Sequence, residues 1–256
     1  MLIQPTLDSL NRLKLYGMAA ALSEQLTQSL AHGLAFEERF GLLVEREVVH
    51  RENRRLSRLL QLATLKERAC LEDLDLRARR GLDRSQIASL ASGDWIRAGQ
   101  NLLIHGATGC GKTFLGCAFA HQACRQGLSA LYLRAPRLFE ELGLCHADGS
   151  FRKRLAAIAK VDLVVIDDFA IAPLGPRERN DLLELLDDRV GGRSTLITSQ
   201  LPLDHWHDYI GDPTLADAIL DRLLHHAHKI HLEGESMRKR ASTTDPKPTA
   251  KTKKID

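Results

Sequence analysis

Eight consecutive residues near the middle of the chain have the types and spacing of a phosphate-binding loop. They are Gly106, Ala107, Thr108, Gly109, Cys110, Gly111, Lys112 and Thr113, in the pattern G-x-x-x-x-G-K-T. The glycines let the backbone curve around an anion with no Cβ in the way, and successive N–H groups then point inward at the start of a helix. We expect Lys112 to reach the β- and γ-phosphates and the Thr113 hydroxyl to ligate Mg²⁺. The alternative, a glycine turn with an incidental lysine, is disfavoured by the apolar segment before the loop and the helix-like segment after it.

A pair of acids supplies the second half of this predicted site. The apolar run from Leu163 to Ile166 ends in Asp167 and Asp168. We expect Asp167 to hold the Mg²⁺ shell, as the acid at the end of a strand does in P-loop enzymes, and Asp168 to orient the attacking water. Many P-loop proteins carry glutamate at the second position, so the shorter aspartate requires the water to sit closer or to be bridged. The alternative is a strand that ends at a turn, where aspartate is common.

Two further positions are candidates for contact with the γ-phosphate. The run from Ser194 to Gln200 resembles a strand with a polar end, and the ends of parallel strands lie on the ligand side of a sheet. Ser199 is the predicted catalytic contact there, with Thr198 and Gln200 left open. Arg222 lies late on a predicted helix that begins near Pro213, where it either faces a neighbouring subunit's nucleotide or pairs with Asp217 or Asp221.

The rest of the chain predicts the elements that position these residues. Five apolar runs, at 101–105, 130–133, 163–167, 195–198 and 229–232, alternate with helical segments, which favours an α/β fold with a parallel five-stranded sheet flanked by helices. Residues 7–64 have helical periodicity throughout, including a helix at 36–62. We predict a helical N-terminal domain at 1–69, a nucleotide-binding domain at 70–240 and a disordered basic tail at 241–256.

Composition limits the class of protein. The 256 residues are 44% hydrophobic and 27% charged, as in a folded protein, and the net charge of +3 permits a polyanionic partner. No apolar run approaches a membrane span and no signal peptide is evident, so we expect a cytoplasmic protein. Five cysteines without C-x-x-C spacing predict neither a disulfide framework nor a zinc site. Because Cys110 lies inside the phosphate loop, we expect it to react with alkylating reagents, with loss of nucleotide binding.

Several segments together resemble one family. They are GATGCGKT at 106–113, VVIDDF at 164–169, RSTLITSQLP at 193–202, ADAILDRLLHHAHKI at 216–230 and GESMRK at 234–239. With the N-terminal segments LKLYGMAAALSEQL and FEERFGLLVEREVVHRENRRLSRLL, the chain resembles the IstB-type transposition helper ATPases over residues 7 to 240. These are AAA+ proteins related to the helicase loader DnaC. The phosphate loop alone specifies only the superfamily, whereas ITSQLP, ILDRL and GESMRK are more specific.

The resemblance implies an ATPase that works on DNA. It implies ATP and Mg²⁺ as ligands, a P-loop AAA+ core, self-assembly with composite ATP sites, remodelling of duplex DNA, and recruitment or stimulation of an IstA-type transposase. It makes the N-terminal helices a partner-docking or assembly module and Arg222 the arginine finger. It also suggests a sensor or interface role for Arg238. The chain ends soon after GESMRK, which leaves little sequence for a C-terminal helical lid.

The DNA-contacting residues and the exact function stay open. Arg152, Lys153, Arg154 and Lys160 lie where related proteins carry a DNA-binding insertion, but a solvated helix face explains them equally well. A DnaC-like loader of a replicative helicase is the alternative function. A third hypothesis, an assembly scaffold with negligible hydrolysis, follows from aspartate rather than glutamate at Asp168.

Overall fold

The chain folds as two units, each with its own internal contacts. A computed structural model describes residues 3–27, 33–76 and 80–234. Contacts group Met1–Gln61 as the first unit and Leu62–Asp256 as the second. The division falls before the predicted boundary at residue 69, because the connector after Gln61 makes its contacts with the second unit. One such contact runs from the Thr64 hydroxyl to the carbonyl oxygen of Tyr132, at 3.4 Å.

Three helices form the first unit. They are α1 (Ile3–Arg12), α2 (Tyr16–Thr27) and α3 (Phe36–Ala63), the last of which runs two residues past Gln61. The predicted helix at 36–62 is therefore confirmed, almost to the residue. The helical pattern ahead of this helix is broken in the structure, because the chain turns between α1 and α2, where Lys14 takes a φ of +60°.

A buried carboxylate joins α2 to α3. Glu47 on α3 accepts hydrogen bonds from the backbone N–H groups of Gly17 and Met18, at 2.7 and 3.2 Å, and so caps the first turn of α2. The Arg51 guanidinium donates to the other oxygen of Glu47, at 2.7 Å. The two helices approach closely because residue 17 is glycine: a Cβ there would lie 2.6 Å from the carbonyl oxygen of Arg46.

A five-stranded parallel sheet forms the centre of the second unit. The strands are β1 (Leu102–Gly106), β2 (Ala130–Arg134), β3 (Leu163–Phe169), β4 (Ser194–Ser199) and β5 (His228–Leu232), in the spatial order β2-β3-β4-β1-β5. All five predicted strands are present, with each end within two residues of its predicted position, and the parallel α/β fold is confirmed. The strands in the interior of the sheet are apolar runs because helices cover both faces.

Helices pack on both faces of this sheet. Before β1 the chain forms α4 (Arg84–Ala91) and α5 (Asp94–Arg97). Between the strands it forms α6 (Lys112–Arg125), α7 (Ala135–Asp148), α8 (Phe151–Ala159), α9 (Pro176–Asp187), α10 (Trp206–Ile210) and α11 (Pro213–Leu224). Leu103, Val164, Ile166 and Ile197 belong to one apolar core with α7 to α11. Val165 and Leu196 point to the opposite face, where Gly116 lets α6 lie close against them.

None of the described helices has both the length and the apolar composition needed to cross a bilayer.

The carboxylate of Glu47 predicts a stability that depends on pH. Burial opposes its ionisation, but the hydrogen bonds from Arg51, Met18 and Gly17 outweigh burial and lower the pKa of Glu47 below the ordinary 4.5. A carboxylate with a lowered pKa stabilises the fold above its ordinary pKa, and this contribution is lost as the pH falls through the folded-state value. We expect Glu47→Gln to lower the free energy of unfolding of the first unit by about 1–3 kcal/mol at neutral pH.

Hydrogen exchange of the Gly17 and Met18 amides in the full-length chain measures this effect. The difference from wild type should narrow as the pH falls below 4.5. Glu45→Gln on the exposed surface of α3 is the matched control and should leave these amides unchanged. A difference that stays constant with pH would show that the charge of Glu47 is irrelevant.

Candidate nucleotide site

The predicted phosphate loop connects β1 to α6, and two of its glycines are required by geometry. Gly106 closes β1 against β5 so tightly that a Cβ would lie 2.0 Å from the carbonyl oxygen of Leu232. Gly111 takes a φ of +96° directly before α6, a conformation that L side chains rarely adopt. The first N–H groups of α6 have no helical partner, so the loop presents them to an anion.

Lys112 begins α6 and lies under the loop. Its side chain is buried, and the ammonium donates hydrogen bonds to the carbonyl oxygens of Gly106 and Ala107, both at 2.8 Å. Burial lowers the pKa of Lys112, while Cys110, Asp168 and Asp167 nearby act in the opposite direction. The structure thus places the lysine at the loop, as predicted.

Thr113 and Asp167 are brought together from α6 and β3. The Thr113 hydroxyl lies 3.0 Å from both carboxylate oxygens of Asp167, which is fully buried. Tyr132 from β2 and Thr198 from β4 also donate their hydroxyls to this carboxylate. A hydroxyl and a carboxylate side by side are the hard oxygen ligands that Mg²⁺ prefers, so the donor set fits the predicted metal.

Asp168 turns towards the cavity. Its φ of +58° is left-handed, which aspartate tolerates better than most residues. Its carboxylate accepts a hydrogen bond from Nε of Arg134 at the end of β2, at 2.8 Å, and its N–H donates to the Thr198 hydroxyl, at 3.2 Å. Asp168 is therefore positioned at the site by two neighbouring strands, and Arg134 is its ion-pair partner.

The end of β4 distinguishes the three candidates for the γ-phosphate contact. Ser199 is fully buried and donates to the carbonyl oxygen of Phe169, and Thr198 is committed to Asp167 and Asp168. Gln200 lies at the cavity and accepts a hydrogen bond from the Thr108 hydroxyl, at 2.6 Å. The expectation for Ser199 is thus corrected: its side chain does not line the cavity, whereas that of Gln200 does.

A cavity of about 530 Å³ is lined by Lys112, Thr113, Arg134, Asp168 and Gln200. Lys66, Glu67, Asp73, Asp75 and Arg80 from the connector also line it. No spacing in the sequence pointed to them, because the connector precedes the loop by some forty residues. Arg134 was also missed, although its position at the carboxyl end of a parallel strand places it at the edge of the sheet where ligands bind.

Cys110 is less accessible than expected. The thiol is fully buried and donates to the carbonyl oxygen of Ala107 inside the loop. Burial of the thiol opposes the alkylation predicted for this residue.

Arg222 lies at the amino-terminal end of the strands, whereas the cavity lies at their carboxyl end. Its backbone carbonyl accepts a hydrogen bond from Asn101, which precedes β1, whereas the phosphate loop follows β1. The guanidinium pairs with Asp187 of α9 and donates to the carbonyl of Ala218, at 2.7 Å. The predicted partners Asp217 and Asp221 are wrong, because the side chain reaches across to α9 instead of along its own helix.

The candidate DNA residues lie on and just after α8. Arg152, Lys153 and Lys160 are exposed, whereas Arg154 is half-buried and pairs with Glu141 of α7, at 2.7 Å. The predicted patch therefore keeps three of its four cations at the surface. Arg238 and the tail at 241–256 lie outside the described residues.

The fold and the site define the class of protein. A parallel sheet in the order β2-β3-β4-β1-β5, with the phosphate loop after β1 and the acid pair at the end of β3, is an AAA+ nucleotide-binding fold. More particularly, the chain belongs to the family of IstB-like ATP binding proteins, whose model matches residues 8–245. The family that the sequence motifs resemble is thus confirmed.

Similar proteins come from insertion sequences. An insertion sequence ATP-binding protein of Sinorhizobium fredii is 49% identical over 93% of this chain and 98% of its own. The IS1162 ATP-binding protein of Pseudomonas fluorescens is 56% identical over 79% of this chain and 88% of its own.

Solved structures resemble the second unit in fold. DnaI has a TM-score of 0.56 at 25% identity, covering 65% of this chain and 92% of its own. DnaA from Aquifex aeolicus, bound to AMPPCP, has a TM-score of 0.54 at 16% identity, covering 70% of this chain and 55% of its own.

Burial of the cysteines predicts their order of reaction with iodoacetamide in the native protein. Cys70 and Cys145 are partly exposed and should be modified first, whereas Cys110, Cys117 and Cys124 are buried and should react slowly. Burial also raises the pKa of Cys124 to about 11, which suppresses its thiolate. Mass spectrometry of peptides after timed quenching measures each rate. Modification of Cys110 as fast as that of Cys145 would contradict the placement of its thiol, and labelling in denaturant provides the control for full reactivity.

Proposed function

We propose that this protein is an ATP-hydrolysing helper of a transposase. In this proposal it assembles on duplex DNA, remodels the DNA as a target, and recruits or stimulates an IstA-type transposase. The observation that carries the proposal is that Lys112, Thr113 and Asp168 line one cavity, with Asp167 beneath it hydrogen-bonded to Thr113, in a chain of this family. The insertion sequence origin of the similar proteins supports a role in transposition.

The side chains of the cavity divide the work of hydrolysis. Lys112 and the loop N–H groups bind the phosphates, and Thr113 and Asp167 are the residues that would hold Mg²⁺. When bound, the metal ion neutralises charge that develops on the phosphate oxygens. Asp168 orients the attacking water, with Arg134 fixing the direction of its carboxylate, at 2.8 Å.

The arginine finger must come from a second copy of the chain. Arg222 cannot reach the cavity of its own chain, since Asn101 and the phosphate loop lie at opposite ends of β1. A neighbouring copy that presents this edge to the cavity supplies the missing cation, which stabilises the transition state. Hydrolysis then requires assembly, and ATP links neighbouring subunits.

Contact with DNA is assigned to the exposed cations of α8. Arg152, Lys153 and Lys160 are free of carboxylate partners among the described residues, in contrast to Arg154. Lysine and arginine at such a surface pair with phosphates without reading the base sequence. Binding is therefore expected to weaken steeply with salt.

A helicase loader is the second candidate function. Its support is the resemblance of the sequence motifs to relatives of the helicase loader DnaC. The preference for duplex or single-stranded DNA separates the two candidates.

Mixing two inactive variants tests the composite site. Lys112→Ala should not bind ATP but still presents Arg222, whereas Arg222→Ala should bind ATP but lacks the finger. We expect each alone to lose at least about a hundredfold in phosphate release, and the mixture to recover part of the wild-type rate. Asp187→Ala removes the ion-pair partner of Arg222 and is the control for a structural role of the pair. Failure of the mixture to recover, or equal losses in Asp187→Ala and Arg222→Ala, would remove Arg222 from catalysis.

Fluorescence anisotropy with duplex and single-stranded DNA tests the proposed function. With a non-hydrolysable ATP analogue, the wild-type protein should prefer duplex DNA and lose affinity as salt rises. Reversal of Arg152 and Lys153 to glutamate should weaken binding at least about tenfold, and Lys229→Glu at a distant exposed site should change it little. A preference for single-stranded DNA would favour the helicase loader. An affinity that does not change with salt would exclude the α8 cations as a DNA contact.

A further inference from the structure

The nucleotide cavity contains four cationic side chains, and one of them differs from the others. Three are held by hydrogen bonds: Arg80 to the carbonyl oxygen of Asp75, Lys112 to those of Gly106 and Ala107, and Arg134 to Asp168. The fourth is Lys66. Its ammonium lies 3.7 Å from the Asp167 carboxylate, beyond hydrogen-bond distance, and 42% of its side chain is exposed.

The backbone that carries Lys66 is fixed against the second unit. The Thr64 hydroxyl donates to the carbonyl oxygen of Tyr132, and Ala63 and Ala69 on either side are buried. The backbone of Lys66 and Glu67 lies close to the buried thiol of Cys117 on α6. The backbone at Lys66 is therefore held in place, while its side chain remains partly exposed to the cavity.

The balance of charges in the cavity depends on this partly exposed cation. Its lining carries Lys66, Arg80, Lys112 and Arg134 against Glu67, Asp73, Asp75 and Asp168, so the two signs balance. Asp167 beneath the lining adds a further negative charge. With Asp167 counted, the acids already exceed the cations by one, and loss of the Lys66 charge would raise that excess to two, against the entry of a polyphosphate.

We propose that Lys66 binds the phosphates of the nucleotide as a second lysine of the site, and that it thereby couples the connector to nucleotide occupancy. The connector is the segment between α3 and α4, and Lys66 lies near its beginning, three residues after the end of α3. Lys112 approaches from the phosphate loop, and Lys66 approaches from the connector beside Asp167. Nucleotide binding then restrains the chain directly after α3. This proposal rests on the ATP site described above and names a phosphate contact that the sequence motifs do not contain.

Binding measurements on the full-length chain test the phosphate contact. Lys66→Met keeps the aliphatic stem and removes the charge, and Lys66→Arg keeps the charge. With Mg²⁺ present, we expect Lys66→Met to weaken ATP binding about tenfold, because a charge-assisted contact is lost, and to change AMP binding much less. Lys66→Arg should restore most of the affinity for ATP. Lys229→Met, which removes an exposed lysine charge from β5, is the matched control.

Three results would overturn the proposal. If the Lys66→Met protein binds ATP as tightly as wild type, Lys66 makes no phosphate contact. If it binds ATP more tightly, Lys66 competes with the metal for Asp167. Equal weakening towards ATP and AMP would indicate a structural role instead. If the wild-type protein itself binds no ATP, the nucleotide site is refuted. This outcome differs from a loss of the Lys66 contact alone, in which wild type still binds ATP.

Hydrogen exchange tests the coupling to the connector. In the wild-type protein, saturating ATP should slow exchange of the amides at residues 64–69. In Lys66→Met at saturating ATP, this protection should be lost, while protection of the loop at 106–113 persists. Equal protection of the connector in both proteins would overturn the coupling.

Discussion

A fully buried carboxylate, that of Asp167, holds the site together, and the rest of the second unit is arranged to make its burial tolerable. An isolated buried charge costs many kcal/mol, so it persists only where donors surround it. Thr113, Tyr132 and Thr198 supply hydroxyls from α6, β2 and β4. Burial, together with the hydrogen bond to Asp167, raises the pKa of Tyr132, so its hydroxyl remains a donor. The order β2-β3-β4 is the one that lets strands on both sides of β3 reach this carboxylate.

The same sheet separates the parts of the catalytic apparatus. The phosphate loop and the acid pair lie at the carboxyl edge of the strands, whereas Arg222 lies beside Asn101 at the opposite edge. One chain cannot bring the two edges together, because the strands between them are rigid. The proposed requirement for a second copy follows from this separation, and in that proposal hydrolysis is a property of the assembly.

The first unit has its own buried carboxylate. Glu47 joins α2 to α3 through two backbone N–H groups, much as Asp167 joins strands in the second unit. In both places an acid is retained in a poorly hydrated position because it satisfies donors that have no other partner. The connector that leaves α3 carries Lys66 into the nucleotide cavity, so the site draws on residues from well outside the phosphate loop.

The sequence by itself determined the parts of the protein that depend on local spacing. The G-x-x-x-x-G-K-T pattern, the apolar run before Asp167 and the alternation of strand and helix predicted the loop, the strand that ends in the acid pair and the parallel sheet, because backbone geometry and side-chain period act over a few residues. Tertiary structure alone decided which distant side chains meet. It placed Gln200 instead of Ser199 at the cavity, buried Cys110, paired Arg222 with Asp187 and brought Lys66 to Asp167. These outcomes depend on how strands and helices pack across the sheet, and no short-range pattern encodes which side of a strand end faces the ligand.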